Sequence, residues 1–256
     1  MDNLDFVSFM YVILTYAAFA ILIIGVVWKI IVYAKTPMPV KIPLTPAPKT
    51  KTGAFFRVLG EVFFFKSLYR SNKSTWVGGY VFHVSLAIVL IQHVLRHYVY
   101  DFYHGNPPAW YNLLVPIGLV FGTLILISLV YLFLRRIFVE RVKFISVLSD
   151  YFILVLLMLI TIAGLSEIVF QSPAALEKSV VQLDAFFNKL FIFQPFDIPH
   201  NPFFLLHYTL VLILLAYIPF SKIMHFVGIF FSPTLAMNDD VRENRYTDER
   251  TTRLTI

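Results

Sequence analysis

Cysteine is absent from the 256-residue chain. That excludes disulfides, a covalently attached c-type haem and cysteine-ligated iron–sulfur clusters within this polypeptide, so any iron–sulfur chemistry would belong to another subunit. Charge is scarce too, at 14% of residues against 59% hydrophobic, with a mean hydropathy of +0.76. So apolar a composition excludes an ordinary soluble domain and implies a polytopic protein of the lipid bilayer. The sequence shows no internal repeat or low-complexity tract. A net charge of +6 does not imply nucleic acid here, because basic residues of a membrane protein concentrate in loops that stay in the cytoplasm.

What the chain does have is long apolar runs. A membrane-spanning helix needs about 20 mostly apolar residues, and five segments qualify, at about 8–33, 77–99, 111–134, 149–170 and 203–230. The first is too long for the hydrophobic region of a signal peptide and lacks a small-residue cleavage site, so it is expected to be a retained helix. The first connection carries Lys35, Lys41, Lys49, Lys51, Arg57, Lys66, Arg70 and Lys73 against Glu61, and the third carries Arg135, Arg136, Arg141 and Lys143 against Glu140. Both are therefore expected in the cytoplasm, with the amino terminus outside and the carboxyl terminus inside. The fold class that follows is an all-α, five-transmembrane-helix bundle over residues 1–235, a multi-pass protein of the cytoplasmic membrane, with a cytoplasmic tail over 236–256.

Two amphipathic stretches lie outside the spans. Pro37, Pro39, Pro43, Pro46 and Pro48 forbid a helix in the first connection, after which about 53–70 alternates Phe55, Phe56, Leu59 and Phe63 with Arg57, Glu61 and Lys66, a pattern for a helix at the cytoplasmic interface. In the external connection, about 174–193, Leu176, Val180, Leu183, Phe187 and Leu190 recur at helical spacing. That helix would roof the outer end of the bundle.

Four histidines fall inside apolar segments, His83 and His93 in the second span and His207 and His225 in the fifth. Ionisable residues in hydrocarbon are costly and mark function by default. One such histidine is more often a core residue bonded to a neighbour; four, paired by depth on two helices, point to ligation. Ten residues place His93 about 15 Å beyond His83, and on a continuous helix eighteen place His225 about 27 Å, or five turns, from His207 on one face. Since the two helices run in opposite directions, His93 matches His207 at the outer side and His83 matches His225 at the inner side. The difference of about 12 Å would be absorbed by tilt and by a bend at Pro219. Paired axial imidazoles suit b-type haems used for electron transfer, whereas zinc wants four ligands close together. His97 follows His93 by four residues and is expected to be solvated or to support it, and His104 and His200 are expected in loops.

At these residues the chain resembles the gamma subunit of respiratory nitrate reductase, a five-helix dihaem cytochrome b. The resemblance spans about 75–230 and rests on the histidine spacings of ten and eighteen, on Phe82-His83, on Arg135-Arg136 ahead of Asp150, and on Pro219-Phe220-Ser221-Lys222 before His225. It implies two haem b, with His83 and His225 ligating the inner and His93 and His207 the outer, and a quinol-type carrier near the outer one. The family's lysine at the start of helix three has no counterpart between Tyr111 and Val130. The long proline-bearing first loop and Phe231-Ser232-Pro233-Thr234 are similar to the membrane subunits of heterodisulfide reductase and of the sulfite-reductase-associated complex. Those work beside a cytoplasmic iron–sulfur subunit of the heterodisulfide reductase catalytic type. The resemblance thus implies a carrier of menaquinone or methanophenazine type and such a partner, with further membrane or external cytochrome subunits completing the assembly.

Supporting residues follow from position. Arg135 and Arg136 lie at the depth where inner-haem propionates would need cations, although topology alone also accounts for them. Asp150 would pair with them or favour its helix dipole. Gln92, Glu167 and Gln171 near the outer boundary are candidate contacts for a quinone headgroup or for released protons. The rival function is a haem-free transporter or scaffold in which the histidines relay protons.

Overall fold

The computed structural model describes residues 4–37, 43–194 and 196–240. Pro39 and Lys41 of the first connection and the tail from 241 onward lie outside the described residues, so the expected tail is described only over 236–240. Among the described residues there is no strand. Five helical segments are long and apolar enough to cross a membrane: Phe6–Lys35, Lys73–Phe102, Ala109–Phe138, Leu148–Phe170 and Pro202–Phe220. The described residues form two compact units, one within 4–23 and 74–218 and one within 24–73 and 219–240.

In the first unit, α1 (Phe6–Lys35) starts where Asp5 accepts hydrogen bonds from the Val7 and Ser8 amides at 2.9 and 3.1 Å, a carboxylate at the positive end of the helix dipole. Ser8, Val12, Thr15 and Ala18 recur at helical spacing and are buried, small residues that let a neighbour approach in lipid. That neighbour is α9 (Pro202–Tyr217): the Tyr208 hydroxyl pairs with Thr15 at 2.7 Å, and Tyr11 with Thr209 at 2.5 Å. Over this end lies α8 (Pro173–Phe191), capped by Ser172 and sealed by the fully buried Phe186. The amphipathic helix expected at about 174–193 is thus present.

A second core joins α4 (Lys73–Phe102), α5 (Leu114–Phe138) and α7 (Leu148–Phe170). Gly118 and Gly122 give α5 a bare strip that takes Gln92 of α4 and Leu165 of α7; a Cβ at Gly122 would come within 2.9 Å of the Leu165 side chain. Along their lengths α5 packs on α7 and α7 on α9, while α4 meets the bundle chiefly through side chains. The short α6 (Glu140–Ile145) links α5 to α7.

In the second unit, α2 (Lys51–Phe64) and α3 (Lys66–Ser71) replace the single interfacial helix expected at about 53–70, broken where Phe65 takes a left-handed φ of 50°. Ala54, Val58 and Gly60 are buried while Phe55, Phe56, Phe63 and Phe64 are exposed. The α2 helix packs on α11 (Pro233–Ala236), and the Leu44 amide donates to the Thr234 carbonyl at 2.9 Å.

One expectation fails. The fifth span does not run as a single helix to about 230: α9 ends at Tyr217, a 3₁₀ turn covers Ile218–Phe220, and a second covers Lys222–Met224 before the four-residue α10 (His225–Gly228). Pro219 has no N–H to continue the ladder, and Ser221 is extended, its hydroxyl accepting from the Ile223 amide at 3.1 Å. The eighteen-residue, single-face register expected for His207 and His225 therefore does not exist.

Candidate functional site

The best-defined site is built on the surface of α7. Helical carbonyls normally close their own ladder, but the Ile160 carbonyl also accepts a bond of 2.9 Å from Nδ1 of His207 on α9. Four residues on, Gly164 lies beside the same ring, where a Cβ would come within 3.0 Å of its Cε1 and Nδ1. A carbonyl and a missing side chain on one face make a notch that only a flat ring fills. His93 on α4 is fixed by its own helix, Nδ1 donating to the Val89 carbonyl at 2.7 Å.

Because a carbonyl can only accept, both imidazoles carry their proton on Nδ1 and keep the Nε2 lone pair, the state a metal ligand needs. The two ring centroids are 6.5 Å apart and the ring planes are 16° from parallel. Two metal–imidazole bonds of about 2 Å each, plus two ring half-widths, fill that separation. Among the described residues no three His, Asp or Glu side chains converge on one point. A metal held here would need its other ligands from a macrocycle, and the residues present fit a haem iron.

The remaining sequence-predicted residues are placed as follows. His83 donates from Nδ1 to the Gly79 carbonyl at 2.7 Å, and His225 to the Lys222 carbonyl at 2.9 Å, so all four histidines share one tautomer. Arg135 and Arg136 lie in the last turn of α5. Arg136 is engaged there, donating from Nη1 to Ser146 at 2.9 Å and lying 3.5 Å from the buried Asp150 carboxylate. Asp150 also accepts from the Val147 amide at 3.1 Å, so it both pairs with arginine and caps its helix. Gln92 is buried against Gly118 and holds α4 to α5.

At the amino-terminal end of the unit, Arg96 of α4 reaches electrostatically to Glu167 of α7 and to Tyr111, with its Nε buried and unpaired. His97 is not a free surface residue: it pairs with Asp184 of α8. Burial holds the Asp184 carboxyl above the usual carboxylate range, against the pull of His97. His200 pairs with Asp5 at 3.2 Å, and hydrogen bonding, first from the Ser8 hydroxyl, draws the Asp5 carboxyl down to about 2. His104 takes a left-handed φ of 50° in a turn. Between α7, α8 and residues 197–201 lies a cavity of about 450 Å³.

Sequence reasoning missed Gly164 and Ile160 altogether. A glycine and a carbonyl in an apolar run carry no signal of their own; only the positions of the two helices give them meaning.

Known proteins are similar to this chain in sequence. The family model for the nitrate reductase gamma subunit matches residues 65–237. A protein of Archaeoglobus profundus, described as an Hdr-like menaquinol oxidoreductase cytochrome b-like subunit, is 30% identical over 284 aligned positions, which cover 91% of this chain and 80% of that protein. Its counterpart of the same description in Archaeoglobus fulgidus is 33% identical over 279 positions, covering 92% and 81%.

Proposed function

Since the chain belongs to the nitrate reductase gamma subunit family, we propose that it is a dihaem b-type cytochrome, the membrane subunit that moves electrons between a menaquinol-type carrier and a redox partner in the cytoplasm. The observation that carries this is the His93–His207 pair, two Nε2-ready imidazoles 6.5 Å apart on separate membrane-spanning helices. His93 and His207 would hold a haem b, which would supply reversible one-electron chemistry there. His83 and His225 are the proposed ligands of the second haem, on the family's pattern and on their matching tautomers. Arg135 is the stronger of the two candidate propionate contacts, because Arg136 already serves Ser146 and Asp150.

The carrier follows from the relatives, both described as subunits of a menaquinol oxidoreductase. Its site is proposed beside His93 and His207, where Glu167, Gln171 and Arg96 are the polar groups at the mouth of the bundle. Gln92 is spent on helix packing. With the basic first and third connections read as cytoplasmic by the positive-inside rule, that mouth is proposed at the outer face of the membrane. The absence of cysteine requires the iron–sulfur clusters of the electron path to lie in a separate subunit, which we place on the heterodisulfide reductase pattern in the cytoplasm.

The test is a pyridine haemochrome assay with redox difference spectra on the purified, detergent-solubilised protein. About two b haems per chain are expected. His93→Ala and His207→Ala should each remove the same haem, and His83→Ala and His225→Ala the other. A variant that keeps two intact bis-histidine haems refutes its ligand assignment. Folded protein without haem, made with ample haem supply, refutes the cytochrome and favours a histidine proton relay in a transporter or scaffold.

A further inference from the structure

The notch that seats His207 continues along α7. Ile160 and Gly164 touch the ring, Glu167 follows Gly164 by three residues and Gln171 follows Glu167 by four, so all four share one helix face. Gln171 lies about 10 Å outward from Gly164 and forms part of the wall of the cavity of about 450 Å³. Its amide approaches Glu167 without making a sound hydrogen bond, and both its Oε1 and Nε2 are buried with no partner among the described residues. Across the cavity, Oδ1 of Asp197 is likewise buried and unpaired. Asp5, Lys178, Gln182 and His200 complete its polar lining, with His200 tied to Asp5.

Buried polar atoms without protein partners in a polar space of this size are sites for water. We propose that this cavity is a hydrated chamber through which protons leave the carrier site, Glu167 being the first acceptor and Gln171, water and Asp197 the way out. The inference rests on the carrier reading above. In the step it would serve, a quinol would lose both O–H bonds, giving its two electrons one at a time to the haems that the histidine pairs would hold, and its two protons would pass in turn to the Glu167 carboxylate and on to the chamber. The other groups that face this path are Arg96, which reaches Glu167 from α4, and at the exit Asp5, His200 and Lys178. At the exit, the Asp5 and Asp197 carboxylates attract the proton outward.

Glu167 thus lies on the α7 face between the His207 notch and a cavity lined by Asp5, Asp197, Lys178 and His200. Apolar contacts seal the other side of α8, where Phe186 and Leu190 are buried against α1 and α9. The polar end of the roof lies over the chamber and the apolar end over the core.

The chain's lack of cysteine makes the test clean. Gln171→Cys in the haem-loaded, full-length protein, sealed in vesicles, should react with a membrane-impermeant cationic methanethiosulfonate added on the side of the amino terminus. Adding Ser179→Trp to fill the chamber should abolish that labelling. In parallel, Glu167→Gln should slow haem reduction by menadiol about 100-fold with its bis-histidine spectrum unchanged, and Glu167→Asp should recover most of the rate. An unlabelled Gln171→Cys overturns the hydrated chamber. Labelling together with wild-type reduction rates in Glu167→Gln overturns the proton role. Wild-type haem that menadiol does not reduce is a different failure, because it overturns the carrier reading on which the inference stands.

Discussion

His207 and His225 are both proposed haem ligands, yet they are held in opposite ways. The His207 ring is oriented by another helix, through a carbonyl 47 residues away and a glycine that clears its path. The His225 ring is oriented by its own turn, through Lys222 three residues back, in a stretch of 3₁₀ and four-residue elements. A ligand aimed by a neighbour is only as good as the packing of that neighbour. A ligand aimed by its own turn tolerates change around it but depends on the turn.

The sharpest way to break this contrast is at the notch. Gly164→Val should expel the His207 ring and remove the outer haem, seen as loss of one b haem per chain in the haemochrome assay, whereas Gly228→Ala, whose added Cβ would meet Tyr33 at an ordinary 3.9 Å, should keep both. Of middle size is the loss of the Tyr208–Thr15 bond that holds α9 to α1. Tyr208→Phe should cost about 1 kcal/mol, lowering the thermal midpoint in detergent and loosening the outer haem before the inner one.

Smaller effects come from the two carboxylates that pin the amino-terminal end, and they have opposite signs. Asp5 is held at about 2, below its ordinary value, so its contribution is present above about pH 4 and is lost as pH falls from there through about 2. Asp5→Ala should remove that acid sensitivity and cost about 1 kcal/mol for the lost cap. Asp184 is held above its ordinary value by burial, so its contribution is complete below about pH 4 and fades as pH rises through the raised value. Hydrogen exchange of α8 should therefore quicken as pH climbs out of the acid range, after correction for intrinsic rates. Asp184→Asn should flatten that dependence.

Much of this was legible in the sequence. The five spans, α8 and the break-up of the first connection follow from apolar length, helical spacing and proline. The four histidines stood out because hydrocarbon penalises them. The continuous fifth helix was misread: Pro219 suggested a bend, but the cap at Ser221 that completes the interruption needs a backbone conformation no spacing argument supplies. His97 is expected from sequence to be solvated or to support His93; its partner Asp184 lies 87 residues on, a separation only the fold can close. Asp150 could be placed near Arg136 from sequence, but its double service as cap and ion pair emerges only from the geometry of the α5–α7 corner.

The interruption after Tyr217 has one more consequence, for the lipid. The last span covers 19 residues, while the first three cover 30 each and the fourth 23, so the last reaches about 28 Å, the first three about 45 Å and the fourth about 35 Å. A hydrocarbon core of about 30 Å is matched by the short span standing upright and overrun by the long ones. Hydrophobic mismatch thus falls on the short span first. A thicker bilayer would strain the segment that carries His207 before any other, and membrane thickness would set how well that ligand is kept.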